Sequence, residues 1–376
     1  MTDAADADSP VVGRVIGTDD ATPLAFWVAL APGAFLQLDD VVALERAVPG
    51  RETIRIYGIV TQMRARHEGA RFDSDVFLIE DGVLPAEVSE AAQVLATRFE
   101  PEVFVPPLPG QPVRRARGAE REQALLFEGM AARLPCGLSR DDEPMYLNLE
   151  FIDGTRGAHV NISGVSGVAT KTSYATFLLH ALFESAALGG EGLNTKALIF
   201  NVKGEDLLFL DLPNTRLEER QRERYHRLGL EPRPFRSVEF WAPPRRGTAS
   251  ATPDVAGRSD GRVQSFYWTL ADFCRDELLP FLFADAEDDR QQYTMIVHNV
   301  AARLKKAAKP LDDGGVVIDG ETLRTFEELV ELVRERVEDD TTAWEWAGRA
   351  FRQGTVNAFI RRLYGVRRHV AHLIRG

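Results

Sequence analysis

The run HVNISGVSGVATKTS, His159 to Ser173, holds the residue types that binding a phosphate group needs. Gly164 and Gly167 allow the backbone to close round an anion and turn N–H groups toward it. Lys171 supplies a cation for β and γ phosphates, and the neighbouring Thr172 hydroxyl suits Mg²⁺. An apolar stretch precedes the glycines and a helical pattern follows Lys171, so a helix N-terminus would face the phosphates. The candidate nucleotide contacts are Gly164, Val165, Ser166, Gly167, Val168, Ala169, Thr170, Lys171, Thr172 and Ser173. Thr172 is the candidate metal ligand and Lys171 the candidate catalytic cation. The plainer alternative is a Gly-rich turn from strand to helix.

The spacing departs from G-x-x-x-x-G-K-[ST]. Gly164 to Lys171 is one residue too long, and counting back from Lys171 puts Thr170 where the second glycine belongs. Either the loop carries one extra residue in its bend or it is degenerate. A β-branched residue resists the backbone shape that the glycine would take.

Two further stretches bear on hydrolysis. Asn201 to Asp206 (NVKGED) follows an apolar run, and Glu205 and Asp206 are candidates for orienting water or Mg²⁺. A solvated turn is the alternative. Gly315 to Glu321 (GVVIDGE) is the one candidate for a metal-binding strand that ends in Asp. Its Asp319-Gly320 pair reads better as a hairpin turn before a helix that starts near Thr325.

These residues need elements to hold them. His159–Ser163 and Lys196–Val202 are expected as strands, with a helix over Lys171–Leu188 between them. That helix places Tyr174, Phe177, Leu178, Ala181, Leu182 and Leu188 on one face. Strand, helix and strand in that order predict a βαβ unit and a parallel sheet. Met145–Ile152 is expected as a further strand.

Upstream, the first 80 residues read as β. Apolar runs at Val11–Ile16, Leu24–Leu30, Val41–Ala47, Thr53–Met63 and Asp75–Ile79 are separated by turn signals, which suggests a small barrel or sandwich. Pro85 to Arg98 reads as a helix, and Pro101 to Arg117 as a Pro/Arg-rich connector. Downstream lie a charged helix after Thr215, a short strand at Val238–Trp241 and a polar loop at Gly247–Asp260. Helices are expected over Ser265–Phe283, Asp289–Ala308, Thr325–Glu338 and Thr342–Arg375, the last broken near Gly354 and Gly365. The fold class is α/β: a small N-terminal β-barrel (1–84), a helix and linker (85–117), the first part of a phosphate-loop α/β core (118–214) and a mainly helical subdomain (215–376).

With 376 residues, 44% hydrophobic and 27% charged, the chain has the make-up of a globular protein of two or three domains. No apolar run reaches the roughly 20 residues of a membrane span. The acidic start is unlike a secretory signal, and Cys136 and Cys274 form no metal-ligand cluster, so a cytoplasmic location is expected. A net charge of -12 argues against a surface that coats nucleic acid throughout. Charge is uneven, though: after Thr342 come Arg349, Arg352, Arg361, Arg362, Arg367, Arg368 and Arg375 against the single acid Glu345. That tail is either an ordinary exposed helix surface or a contact for nucleic acid or another subunit.

A barrel-like start, the HVNISGVSGVATKTS loop and then ALIFNVKGED together resemble the HerA-type ATPases of the HerA/FtsK group. IYGIVTQM (Ile56 to Met63) resembles a strand of that family's HAS-type barrel, and LPCGLSRDDEPMYLNL (Leu134 to Leu149) its entry strands. FNVKGED resembles its D-P-x-G-E-Y motif, with Asn201 where Asp is usual. The resemblance covers roughly residues 10–210. It implies a RecA-like core, ATP and Mg²⁺ as ligands, Gly204 and Glu205 at the nucleotide, and a homo-hexameric ring that translocates duplex DNA. A nuclease or defence effector is the implied partner. The family's Mg²⁺-binding strand and its arginine for a neighbouring subunit's nucleotide are not identifiable here, and are expected beyond Gly376. A non-hydrolysing assembly module is the alternative, and a metabolic phosphate-loop kinase a weaker third.

Overall fold

The computed structural model describes residues 10–165, 170–202, 204–248, 250–283, 291–348 and 353–376. The chain is mixed α/β and divides into two compact units. One holds Met1–Leu198 and Thr215–Pro232, the other Ile199–Asn214 and Arg233–Gly376.

The first unit opens with β1 (Val11–Val15), β2 (Ala25–Leu30), β3 (Val41–Arg46) and β4 (Ile54–Glu68). A short helix, α1 (Asp75–Glu80), precedes β5 (Glu87–Glu100), and β6 (Pro112–Arg115) follows. The six strands close into an antiparallel barrel in the order β1-β2-β5-β4-β3-β6. Its interior is filled by Val12, Val15, Phe26, Val28, Leu44, Ile56, Val60, Val94 and Val113, among others. Closure leaves no open edge to recruit a foreign strand.

The barrel thus draws its last two strands from segments read as a helix and a linker. EVSEAAQVLATRFE looks helical because alanine, glutamate and leucine favour helices locally. As β5 it is bonded on both sides, to β2 and to β4, and that pairing overrides local preference. Conversely Asp75–Ile79, expected as a strand, is α1. The Asp75 carboxylate accepts from the Arg71 and Phe72 N–H groups and winds the chain there.

Beyond the barrel come α2 (Gly118–Ala124), the hairpin β7 (Arg133–Leu138) with β8 (Pro144–Asn148), α3 (Thr170–Glu184) and α4 (Glu219–Arg227). Ala124 of α2 covers Tyr57 and Ala43 on the outer face of the barrel. Leu134, Leu149, Ala181, Leu228 and Leu230 form a small core that seats α3 against the hairpin and the end of α4.

The second unit holds β9 (Phe240–Ala242) and β10 (Val263–Ser265), a parallel pair, and then β11 (Trp268–Thr269) and α5 (Leu270–Arg275). Next come α6 (Gln291–Ala307), β12 (Lys309–Pro310), β13 (Val316–Ile318), β14 (Glu321–Leu323) and α7 (Phe326–Glu338). The chain ends with α8 (Ala343–Trp346), α9 (Gln353–Val370) and β15 (Ile374–Arg375), which pairs in parallel with β11. A broad core runs through α5, α6, α7 and α9, with Trp346, Phe273, Phe326 and Phe359 fully buried. The expected long helix over 265–283 is mostly replaced by β10, β11 and α5. Helix α9 runs through Gly354 and Gly365 without a break. No helix among the described residues is long and apolar enough to cross a membrane.

Candidate phosphate-binding site

Helix α3 begins at Thr170, so Lys171, Thr172 and Ser173 lie in its first turn. Ser166, Gly167, Val168 and Ala169 lie outside the described residues. The Lys171 ammonium donates to the Gly164 carbonyl at 3.1 Å, which folds the lysine back over the start of the loop. Thr172 and Ser173 are exposed, and their carbonyls accept from the Thr176 hydroxyl at 3.0 Å each.

Fifteen-residue α3 carries no acid in its first turn. The free N–H groups there give the terminus a partial positive charge, and a lysine beside it costs about 0.3–1 kcal/mol. A carboxylate at that place would have favoured the helix. The sequence sets a cation and two hydroxyls there instead, which is the arrangement an incoming anion would stabilise. Packing holds the helix firmly: Tyr174 donates to the Cys136 carbonyl at 3.0 Å, and Phe177 and His180 each meet the Tyr225 ring edge-on.

The flanking strands are a correction. Neither His159–Ser163 nor Lys196–Val202 pairs with a neighbour, so no βαβ unit forms among the described residues. Leu198, Phe200 and Val202 alternate as a strand would, yet stand 81%, 83% and 89% exposed. Their pattern is that of buried parallel strands, but such a strand needs neighbours on both sides to take its hydrogen bonds.

Glu205 belongs to the other unit. One carboxylate oxygen accepts from the Ala256 N–H at 2.7 Å and the other from the Gly257 N–H at 2.6 Å. These amides hold its pKa below the ordinary carboxylate value. Gly204 takes a left-handed φ of 59°, and the Asn201 amide donates to its carbonyl at 2.9 Å. Both oxygens of Glu205 are thus engaged in closing a loop. Sequence reasoning missed the group beside it. Buried Arg258 grips Asp211 and Asp260 at 2.7–3.0 Å and lies over the Phe240 ring. That cluster locks 204–211 onto 255–260, and Arg258 holds the Asp260 pKa down to about 2.

The third stretch resolves as a hairpin. Asp319 and Gly320 have φ of 51° and 87° and join β13 to β14, as a two-residue turn with both centres left-handed requires. Asp319 pairs with Arg303 at 3.3 Å. Among the described residues no three or more His, Cys, Asp or Glu side chains are grouped to hold a metal ion. No protein-family model matches the chain, and no curated protein matches it. The most specific chemical feature among the described residues is a lysine and exposed hydroxyls at an acid-free helix N-terminus, behind a glycine whose carbonyl the lysine holds.

Proposed function

We propose that the chain binds ATP through Lys171 and the first turn of α3, as part of a HerA-type, RecA-like ATPase that assembles as a homo-hexamer on duplex DNA. The observation that carries this reading is the cationic, acid-free start of α3, with Lys171 folded onto Gly164. The lysine can exchange that carbonyl for a phosphate oxygen, and the Thr172 hydroxyl would hold Mg²⁺ if the nucleotide brought one. The closed antiparallel barrel is in keeping with the HAS-type module that the resemblance implies. A RecA-like core also requires that Leu198, Phe200 and Val202 be covered by sheet neighbours, so assembly should protect them.

A second reading is favoured by one specific observation. Glu205 spends both oxygens on backbone amides, which suits a nucleotide-binding scaffold for an effector such as a nuclease better than an enzyme using Glu205 to activate water. ATP turnover with and without duplex DNA, for the wild type and Lys171→Ala, separates the two. Turnover stimulated by DNA and abolished by the substitution supports the motor. Ring formation with nucleotide bound and no turnover supports the scaffold.

A further inference from the structure

The arginine-rich end of the chain takes no part in the phosphate loop, and its placement is informative. In the second unit a cavity of about 420 Å³ is lined by Arg246, Arg324, Arg368, Arg375 and His372, with Glu327 as the single acidic side chain. Arg324 is neutralised by Asp313 at 2.7 Å. Arg375 is held differently. Its guanidinium donates to the Ser250 and Thr248 carbonyls, which fix its direction and leave its charge uncompensated. The exposed side chains of Arg246 and Arg368 make no hydrogen bond or ion pair among the described residues. Nearby Asp254 is faced by Arg245 at 3.8 Å. Burial, with smaller contributions from Arg246 and Arg375 and against that of Asp254, keeps the His372 pKa below its ordinary value.

This is unusual in a chain of net charge -12. The first unit shows the contrast. A cavity of about 600 Å³ there also gathers arginines, but three of its four have their acids, Arg115 with Asp40, Arg121 with Glu143 and Arg140 with Asp39, and Arg117 alone makes no ion pair among the described residues. Like charges gathered without counter-charges are unfavourable unless an anion joins them. Aromatic surface adjoins the second cavity. The Arg375 guanidinium lies 6.0 Å from the Tyr267 ring, which stays 43% exposed, and exposed Trp268 follows it in the chain.

We infer that this cavity is a binding site for single-stranded nucleic acid, with backbone phosphates on Arg246, Arg368 and Arg375 and a base stacked on Tyr267. Arginine recognises phosphate with a planar fork of donors. Base faces are open to an aromatic ring only where the strand is unpaired. Binding here does not depend on nucleotide at Lys171 and goes beyond the duplex-DNA reading.

The test is titration of the full-length chain, without nucleotide, against a labelled single strand of about 20 nucleotides at several salt concentrations, long enough to exceed the site size of one binding groove. The expected result is that Arg246→Ala/Arg368→Ala weakens binding at least tenfold and lowers the salt slope by about 0.7 for each phosphate no longer neutralised. Tyr267→Ala should weaken binding and leave the salt slope unchanged, and tripolyphosphate should compete. The substituted arginines are exposed, so an unchanged melting temperature confirms that the variants fold. Absence of binding by the wild type overturns the inference. So does a double variant that binds like the wild type, as does equal affinity for a duplex with Tyr267→Ala silent. A wild type that binds ATP with none of these effects overturns the single-strand site and leaves the nucleotide reading standing alone.

Discussion

At the scale of single residues, the second unit is held by groups whose surroundings set their chemistry. Cys274 is buried, and desolvation pushes its thiol pKa up to about 12. A thiol-specific reagent at pH 8 should therefore leave Cys274 unmodified in the folded protein and modify it at once in denaturant. The sign of its pH effect follows. The unfolded thiol ionises near 9 while the folded one resists until about 12, so its contribution to stability is full below pH 9 and falls as pH rises between those values. A chemical melt at pH 7.5 and 10 checks this, and equal stability contributed by Cys274 at both values, read against Cys274→Ala, would contradict it. Glu205 gives a second test. Glu205→Gln places an amide N–H₂ against a backbone N–H, so the melting temperature should fall while ATP affinity stays the same. If turnover were lost with the melting temperature unchanged, Glu205 would be a catalytic group instead.

At the scale of elements, close approach and caps decide. A side chain on Gly58 would place its Cβ 2.7 Å from the Leu95 carbonyl oxygen, inside the β4–β5 ladder where a bulge already bends β4. Gly58→Ala should destabilise the barrel by about 1–3 kcal/mol, as overpacking does. Helix α7 starts with a capping box: the Glu328 N–H donates to the Thr325 hydroxyl at 3.2 Å, and the Thr325 N–H to the Glu328 carboxylate at 3.0 Å. Thr325→Ala should cost about 1 kcal/mol in a denaturant melt. This helix start and the Asp319-Gly320 turn before it are both legible in the sequence, because each rests on interactions within a few residues. The strand β5 is not. Its alternative to a helix exists only once β2 and β4 flank it, and those partners lie up to 70 positions away. The same holds for β11, which is defined by β15 more than 100 residues later. Of the candidate phosphate loop, the helix that follows it is legible, since α3 begins at Thr170 beside Lys171. The engagement of Glu205 by Ala256 and Gly257 is not, since nothing near Glu205 announces a partner about 50 residues on.

At the scale of the whole molecule, a chain of net charge -12 sets cationic side chains with no ion-pair partner among the described residues at a place in each unit. One is the first turn of α3, the other the Arg246–Arg368–Arg375 cavity. The first turn of α3 holds no acid, and in the cavity Glu327 is the one acidic side chain beside these three arginines, so an anionic ligand is the reading proposed for both. For the α3 site, a ligand that binds only the native state must raise its stability, by about 2.7 kcal/mol at a hundredfold excess over Kd. The most direct measurement is the melting temperature of the wild type and of Lys171→Ala in millimolar ATP with Mg²⁺. The account predicts a rise for the wild type that the substitution removes. No rise, or the same rise in both proteins, would contradict it.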